Sequence, residues 1–184
     1  RRLGTFTKRV HGNDGRMDLP TLTMSASVGW MKQEDRFSSN IAGNEQKNYT
    51  LLRKGQLSYN HGNSKLAKYG VVFELMDHEE ALVPRIYHSF TVIDGNASFL
   101  NYYFATTLPD QELGKLISSG ARMDGLLNIS YEDFSNITLL IPPLKEQTAI
   151  GNFFHSMDEQ ISTYQQKLNQ LQQLKAAYLQ NMFD

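Results

Sequence analysis

Beyond Ile141-Pro142-Pro143 the chain settles into a single repeat that only a long helix satisfies. Large apolar or aromatic side chains fall at Ile150, Phe154, Met157, Ile161, Tyr164, Leu168 and Leu171, in alternating steps of four and three, and the series runs on through Lys175, Tyr178 and Met182. That heptad spacing gathers these side chains into one stripe, the seam along which helices pair. With Ile150 at d, the a positions are Phe154, Ile161, Leu168, Lys175 and Met182, and the remaining d positions are Met157, Tyr164, Leu171 and Tyr178. No proline follows Pro143 and no glycine follows Gly151, so nothing interrupts the run. From Lys145 to Phe183 such a helix extends roughly 58 Å at 1.5 Å per residue, longer than a domain built from the rest of this chain needs. It must project, and its seam must find a partner. Phe153, Leu174 and Leu179 widen the stripe, whereas the glutamines at 160, 165, 166, 170, 172 and 173 leave few charges to dictate orientation. Periodicity leaves parallel and antiparallel pairing equally open. Lys175 either fixes register at an a position or snorkels out along its stem.

The chain therefore divides into residues 1–143, a globular domain, and 144–184, the helix. With 184 residues and 40% hydrophobic content there is room for one substantial core. The first part reads as α+β. Short β-rich runs occur at 19–25, 49–52, 56–59, 71–75, 86–92 and 137–141, separated by Gly, Asn and Asp turn signals. Helical stretches follow at Ser98 to Ala105 and Asp110 to Ser118, with Gly120 as a stop. Ser130 with Asp133 three residues on forms a capping-box-like start for a short turn.

No run of about 18 apolar residues is present and no signal-peptide pattern opens the chain, so a soluble, cytoplasmic protein is expected. The absence of cysteine removes disulfides, thiolate metal sites and cysteine nucleophiles. Phosphate-binding glycine loops are missing, and His11, His61, His78, His88 and His155 show no metal-ligand spacing. The acidic run Asp77-His78-Glu79-Glu80 reads as a solvated turn between strands, and no base accompanies Ser25, Ser27 or Ser118. A non-catalytic protein without metal or cofactor is expected.

The net charge of −1 hides an asymmetry. Residues 1–70 carry 12 Lys+Arg against 5 Asp+Glu, and residues 71–143 carry 3 against 10. One basic and one acidic face are expected from that split. The basic part holds the strongest candidates for DNA contact. In the loop running from Tyr59 to Lys68, Asn60 and Asn63 offer the donor–acceptor pair suited to adenine, and Lys65 and Lys68 suit phosphate or guanine, with His61 and Ser64 between them. Lys47, Tyr49, Arg53 and Lys54 are candidate phosphate contacts. Arg122 lies in a second glycine-flanked loop, Gly120 to Gly125, and Arg85 follows Pro84.

The tail resembles the conserved region of type I restriction-modification specificity subunits through Pro142, Glu146, Gln147, Ile150, Asp158, Ile161, Lys167, Leu171, Lys175, Leu179, Gln180, Met182 and Phe183, with Tyr178 where that pattern often has leucine. Upstream, Leu3-Gly4, Leu22 to Ala26, Lys54-Gly55, Ser58-Tyr59-Asn60, Leu126 to Ser130 and Phe134 resemble the framework of the family's target-recognition domain. The family's chains usually hold two such domains and two such helices. This one has one of each, and its Met182-Phe183 ending resembles the C-terminal half. The resemblance implies a non-catalytic subunit that reads half of a split duplex-DNA target, with the helix as spacer and with methyltransferase (modification) and restriction subunits docked around it. A homodimer of the half-subunit follows from the seam. A protein-assembly module that pairs through the helix, without DNA specificity, is the competing expectation.

Overall fold

A computed structural model describes residues 1–37, 43–62, 66–117 and 126–183. After a 3-10 turn at Leu3–Thr5 come strands β1 (Thr7–Val10), β2 (Leu22–Ser25) and β3 (Gly29–Lys32) and helix α1 (Gln33–Phe37). A second 3-10 turn, Gly43–Asn48, leads to β4 (Thr50–Arg53), β5 (Leu57–Asn60), β6 (Val71–Glu74), β7 (Glu80–Val83) and β8 (His88–Val92). The helices α2 (Ala97–Phe104), α3 (Asp110–Lys115), α4 (Tyr131–Asn136) and α5 (Leu144–Phe183) complete the α+β fold. The main sheet is antiparallel in the order β1-β8-β5-β6, and β2-β3 and β4-β7 form two separate antiparallel ribbons.

Two cores result. The larger lies where Leu57, Tyr59 and Phe90 of the sheet meet Phe99 and Leu100 of α2 and Phe134 of α4. The smaller joins the two ribbons through Leu22, Met24, Leu52, Ala81 and Val83 and is closed by Tyr87, whose hydroxyl lies 3.0 Å from that of Thr23 and accepts from the Met24 amide at 3.3 Å. Ser130 caps α4 as its spacing indicates, accepting from the Asp133 amide at 3.1 Å.

Three strands escape the sequence pattern for identifiable reasons. Strand β1 lies at an edge of the sheet, where exposed charges such as Lys8 and Arg9 are tolerated. Strand β3 is short and opens on Gly29 at φ +87°, so it carries no alternating run. Strand β7 begins at Glu80, inside the acidic segment expected to be a turn. Conversely, the run 137–141 forms no ladder. It makes one isolated bridge, Thr138 to Arg2, while Ile137 and Leu139 point into the core and Leu140 stays exposed. Helix α3 ends at Lys115, before the expected stop at Gly120, which lies outside the described residues.

Ion pairs cross between the basic and the acidic segment. Strand pairing sets Arg53 opposite Glu80, and Arg16 and Arg53 bind the Glu80 carboxylate at 2.7 and 3.1 Å. Lys54 meets Glu79 at 2.8 Å and Arg1 meets Asp94 at 2.6 Å. At the β4-β7 ribbon the basic segment therefore meets the acidic one, with opposite charges paired across it.

Helix α5 starts directly after Pro143 and, at 40 residues, extends about 60 Å. Its first turns are bound to the domain. Gln147 is buried, donating to the Pro142 carbonyl at 2.8 Å and accepting from the Asn96 amide at 3.1 Å. Gly151 is buried against the N-terminus of α2, because a Cβ there would lie 2.7 Å from Asn96 Oδ1. Tyr102 donates to Asp158 at 2.7 Å and packs its ring 5.2 Å from that of Phe154. From Ser156 to Phe183 every residue is exposed. Among the described residues no helix is long and apolar enough to cross a membrane.

Candidate nucleic-acid interface

The sheet has two ends with different occupants. Strands β1 and β5 finish, and β6 and β8 begin, at the same end, because Tyr59 pairs with His88, Asn60 with Val71 and Val10 with Ser89. At the other end β8 runs into Asp94-Gly95-Asn96, where Gln147 anchors α5. The long helix and the first end of the sheet therefore belong to opposite poles of the strands.

At the first pole the chain after β5 turns sharply. Asn60 is half-buried and its Oδ1 accepts from the Gly62 amide at 3.1 Å, an Asx turn that occupies one acceptor and leaves the side-chain NH2 to other partners. The returning chain is drawn in close. Tyr59 donates its hydroxyl to the Tyr69 carbonyl at 2.6 Å, and burial pushes that phenol's pKa upward, so it stays a donor. Gly70, at φ +85°, approaches so near that a Cβ would sit 2.4 Å from the Asn60 carbonyl oxygen, which only glycine avoids. Lys68 is exposed, with its ammonium 5.1 Å from the centre of the Tyr69 ring. Asn63, Ser64 and Lys65 lie outside the described residues.

Two further stretches meet this turn. Gly62 bridges Leu126, and the Leu127 amide donates to the His61 carbonyl at 2.8 Å, so the segment leaving residue 125 joins the Asn60 turn; Arg122 itself lies outside the described residues. The turn between β7 and β8 arrives through Ile86, beside the exposed Arg85. Asn60, Lys68 and Arg85 thus gather at one pole although 25 residues separate the first from the last. Tyr49 and Lys47 belong to the Arg85 end of the β4-β7 ribbon, since Thr50 pairs with Val83. Lys47 is exposed, and the half-buried Tyr49 hydroxyl accepts from Gln33 at 3.0 Å.

Other expected contacts are placed differently. Arg53 and Lys54 stand at the far end of that ribbon and their charges are met by Glu80 and Glu79. The Glu79 partner raises the Lys54 pKa, and Arg16 and Arg53 lower that of Glu80. His61 corrects its expected role as a surface contact, because it is 4% exposed. Its Nδ1 lies 2.7 Å from the Leu127 carbonyl and its Nε2 3.1 Å from that of Ile86, and the ring stacks on His88 at 4.8 Å. Burial pushes the His88 pKa down to about 4, against the effect of its hydrogen bond to the Ile129 carbonyl. Arg9, not singled out from the sequence, joins the same pole with its guanidinium 4.7 Å from the centre of the Tyr131 ring. Only recognition of β1 as a strand would have found it. Among the described residues no group of three or more His, Asp or Glu is placed to hold a metal ion.

On α5 the seam is divided. Ile150 packs against the domain's own core, and Phe154 lines an apolar pocket with Phe99, Tyr102 and Tyr103 of α2 while staying 43% exposed. Met157, Ile161, Tyr164, Leu168, Leu171, Tyr178 and Met182 remain exposed.

Residues 21–173 match the family model described as type I restriction modification DNA specificity domain. No curated protein matches the chain. Among solved structures, one similar chain comes from work on the structural basis of complex assembly and conformational transition of the type I R-M system; it is 18% identical, with a TM-score of 0.49. Another is the HsdS subunit from Thermoanaerobacter tengcongensis, 16% identical, also with a TM-score of 0.49. Each alignment covers 88% of this chain, which spans 38% and 37% of the two solved chains.

Proposed function

Because the chain belongs to the type I restriction modification DNA specificity domain family, a family of non-catalytic specificity subunits, we propose that it reads one half of a bipartite duplex-DNA target for a restriction-modification complex. The observation that carries this reading is the extent of the family match, which runs from β2 through the globular domain and along most of α5. The reading surface is the pole of the sheet formed by Asn60, Lys68, Arg85 and Arg9, and Asn63, Lys65 and Arg122, outside the described residues, are proposed as further contacts from the sequence. Lysine and arginine there hold phosphates and set register on the duplex, and the amide side chains reach base edges in a groove. The free part of α5 pairs with the same helix of a second copy, hides the seam and fixes the distance between two reading poles. Methylation and cleavage belong to methyltransferase and restriction subunits assembled around the pair.

The test is selection from a pool of random-sequence duplexes by the full chain, alone and together with its methyltransferase subunit. Enrichment of a split motif with a constant gap supports the proposal. Retention of duplexes without any enriched sequence, in both formats, overturns it in favour of an assembly module.

A further inference from the structure

Three stretches distant in sequence converge on the reading pole, and one buried side chain touches all of them. His61 sits at the turn after β5, its Nδ1 lies 2.7 Å from the carbonyl of Leu127, and its Nε2 lies 3.1 Å from the carbonyl of Ile86. Its own carbonyl accepts from the Leu127 amide at 2.8 Å. The ring packs against both Tyr59, 6.0 Å away and tilted, and His88, 4.8 Å away and stacked, which lie 6.0 Å from each other, and His88 is itself fixed to the Ile129 carbonyl at 2.8 Å. Each partner of His61 adjoins a residue expected to meet DNA: Asn60 precedes it, Arg85 precedes Ile86, and Leu126-Leu127 follows the segment that contains Arg122.

We propose that His61 is a specificity-determining positioning residue, which ties the three stretches of the reading pole into one rigid base without itself touching DNA. The proposal rests on the DNA-reading function above. A base edge is read only when donor and acceptor are held within about half an ångström of the productive geometry. Polar turns joined only through their own backbones would pay that ordering at each binding event, whereas a base ordered in advance does not. A ring with two nitrogens on opposite edges suits this task, because it faces carbonyls of two stretches at once; a neutral ring carries one N–H and donates to one of them, the tautomer deciding which. Phosphate contacts tolerate looser placement, since a point charge acts over several ångströms. Loss of the His61 ties should therefore erode discrimination between sequences while sparing general affinity for duplex.

The experiment measures affinity for two probes of equal length, the duplex enriched by the selection above and a random-sequence duplex. It uses the full chain with its methyltransferase subunit, well below the melting temperature of every variant. His61→Leu removes both ties, His61→Asn retains a donor near the Nδ1 position, and His61→Gln retains one near Nε2. Met24→Ala, in the separate core between the ribbons, supplies a destabilised control. The expected result is a roughly tenfold or greater fall in the affinity ratio for His61→Leu. Intermediate ratios are expected for the Asn and Gln variants, and an unchanged ratio for Met24→Ala. Random-duplex affinity and its salt dependence stay constant throughout. If His61→Leu does not fold, the Asn and Gln variants decide. A ratio preserved within twofold in all folded His61 variants, or lost equally in Met24→Ala, overturns the proposal while leaving the DNA-reading function standing. A wild-type chain without sequence preference instead overturns that function, and this inference with it.

Discussion

Gly151→Ala sets two effects of opposite sign against each other. In an isolated helix the change stabilises by about 1 kcal/mol, because alanine loses less backbone entropy than glycine. In this chain the new Cβ would stand 2.7 Å from Asn96 Oδ1 and 3.0 Å from the Phe99 amide nitrogen. Those two atoms form the N-cap bond of α2, at 2.7 Å. The Asn96 side chain would have to turn away, forfeiting a cap worth about 1 kcal/mol. The Phe99 amide belongs to the helix backbone and yields only if α2 and α5 separate, an overpacking cost of about 1–3 kcal/mol. The balance is a net destabilisation of about 1–3 kcal/mol, which is about 2–4 °C in melting temperature per kcal/mol for a chain of this size. Urea denaturation at fixed protein concentration reads it. The same substitution in an Asn96→Ala background should cost measurably less, since the cap is already gone and the obstructing oxygen with it. A stabilisation of about 1 kcal/mol by Gly151→Ala in the wild-type background would show that helix propensity decides and that the close approach of α5 to α2 is not holding the helix.

Acid should weaken the domain through His88. Its pKa is near 4 when folded and about 6.5 when unfolded, so the stability contributed by the neutral ring is complete above pH 6.5 and drains as pH falls towards 4, by up to about 3 kcal/mol. Denaturation of wild type and His88→Gln at pH 5 and 7.5 isolates this part, and equal pH sensitivity in the two would contradict it. Ile161→Asp together with Leu168→Asp should convert a dimer to a monomer in light scattering without lowering the stability of the globular domain, because both side chains are exposed on the free part of α5. An unchanged assembly would place the contact elsewhere. Asn60→Ala should cost about 1–3 kcal/mol on the selected site and relax preference at one position. Lys68→Ala should weaken binding to all sequences alike and lower the salt slope by about 0.9; identical behaviour of the two variants would move the reading surface away from the Asn60 turn.

What the sequence determined by itself is local and periodic. The α5 seam is legible because a step of three and four residues repeats until geometry allows only a helix, and Ser130 with Asp133 is legible because a cap involves neighbours three residues apart. The α+β character and the candidate turn at Asn60 follow from runs of the same kind. Tertiary structure decided whatever depends on partners far along the chain. Glu80 reads as part of an acidic turn until Arg53, across the ribbon, makes it the first residue of a strand. Ile150 has the spacing of a pairing residue, but the domain's own core claims it, since periodicity marks an apolar stripe without naming what covers it. His61 looks like a groove contact in a polar loop, and only the approach of Ile86 and Leu127, 25 and 66 residues away, buries it. Gly151 carries no signal within a helical pattern, and Gln147 only its part in the family resemblance, yet they bind α5 to the domain, because a close approach between two backbones is a property of both helices together and is written in neither alone.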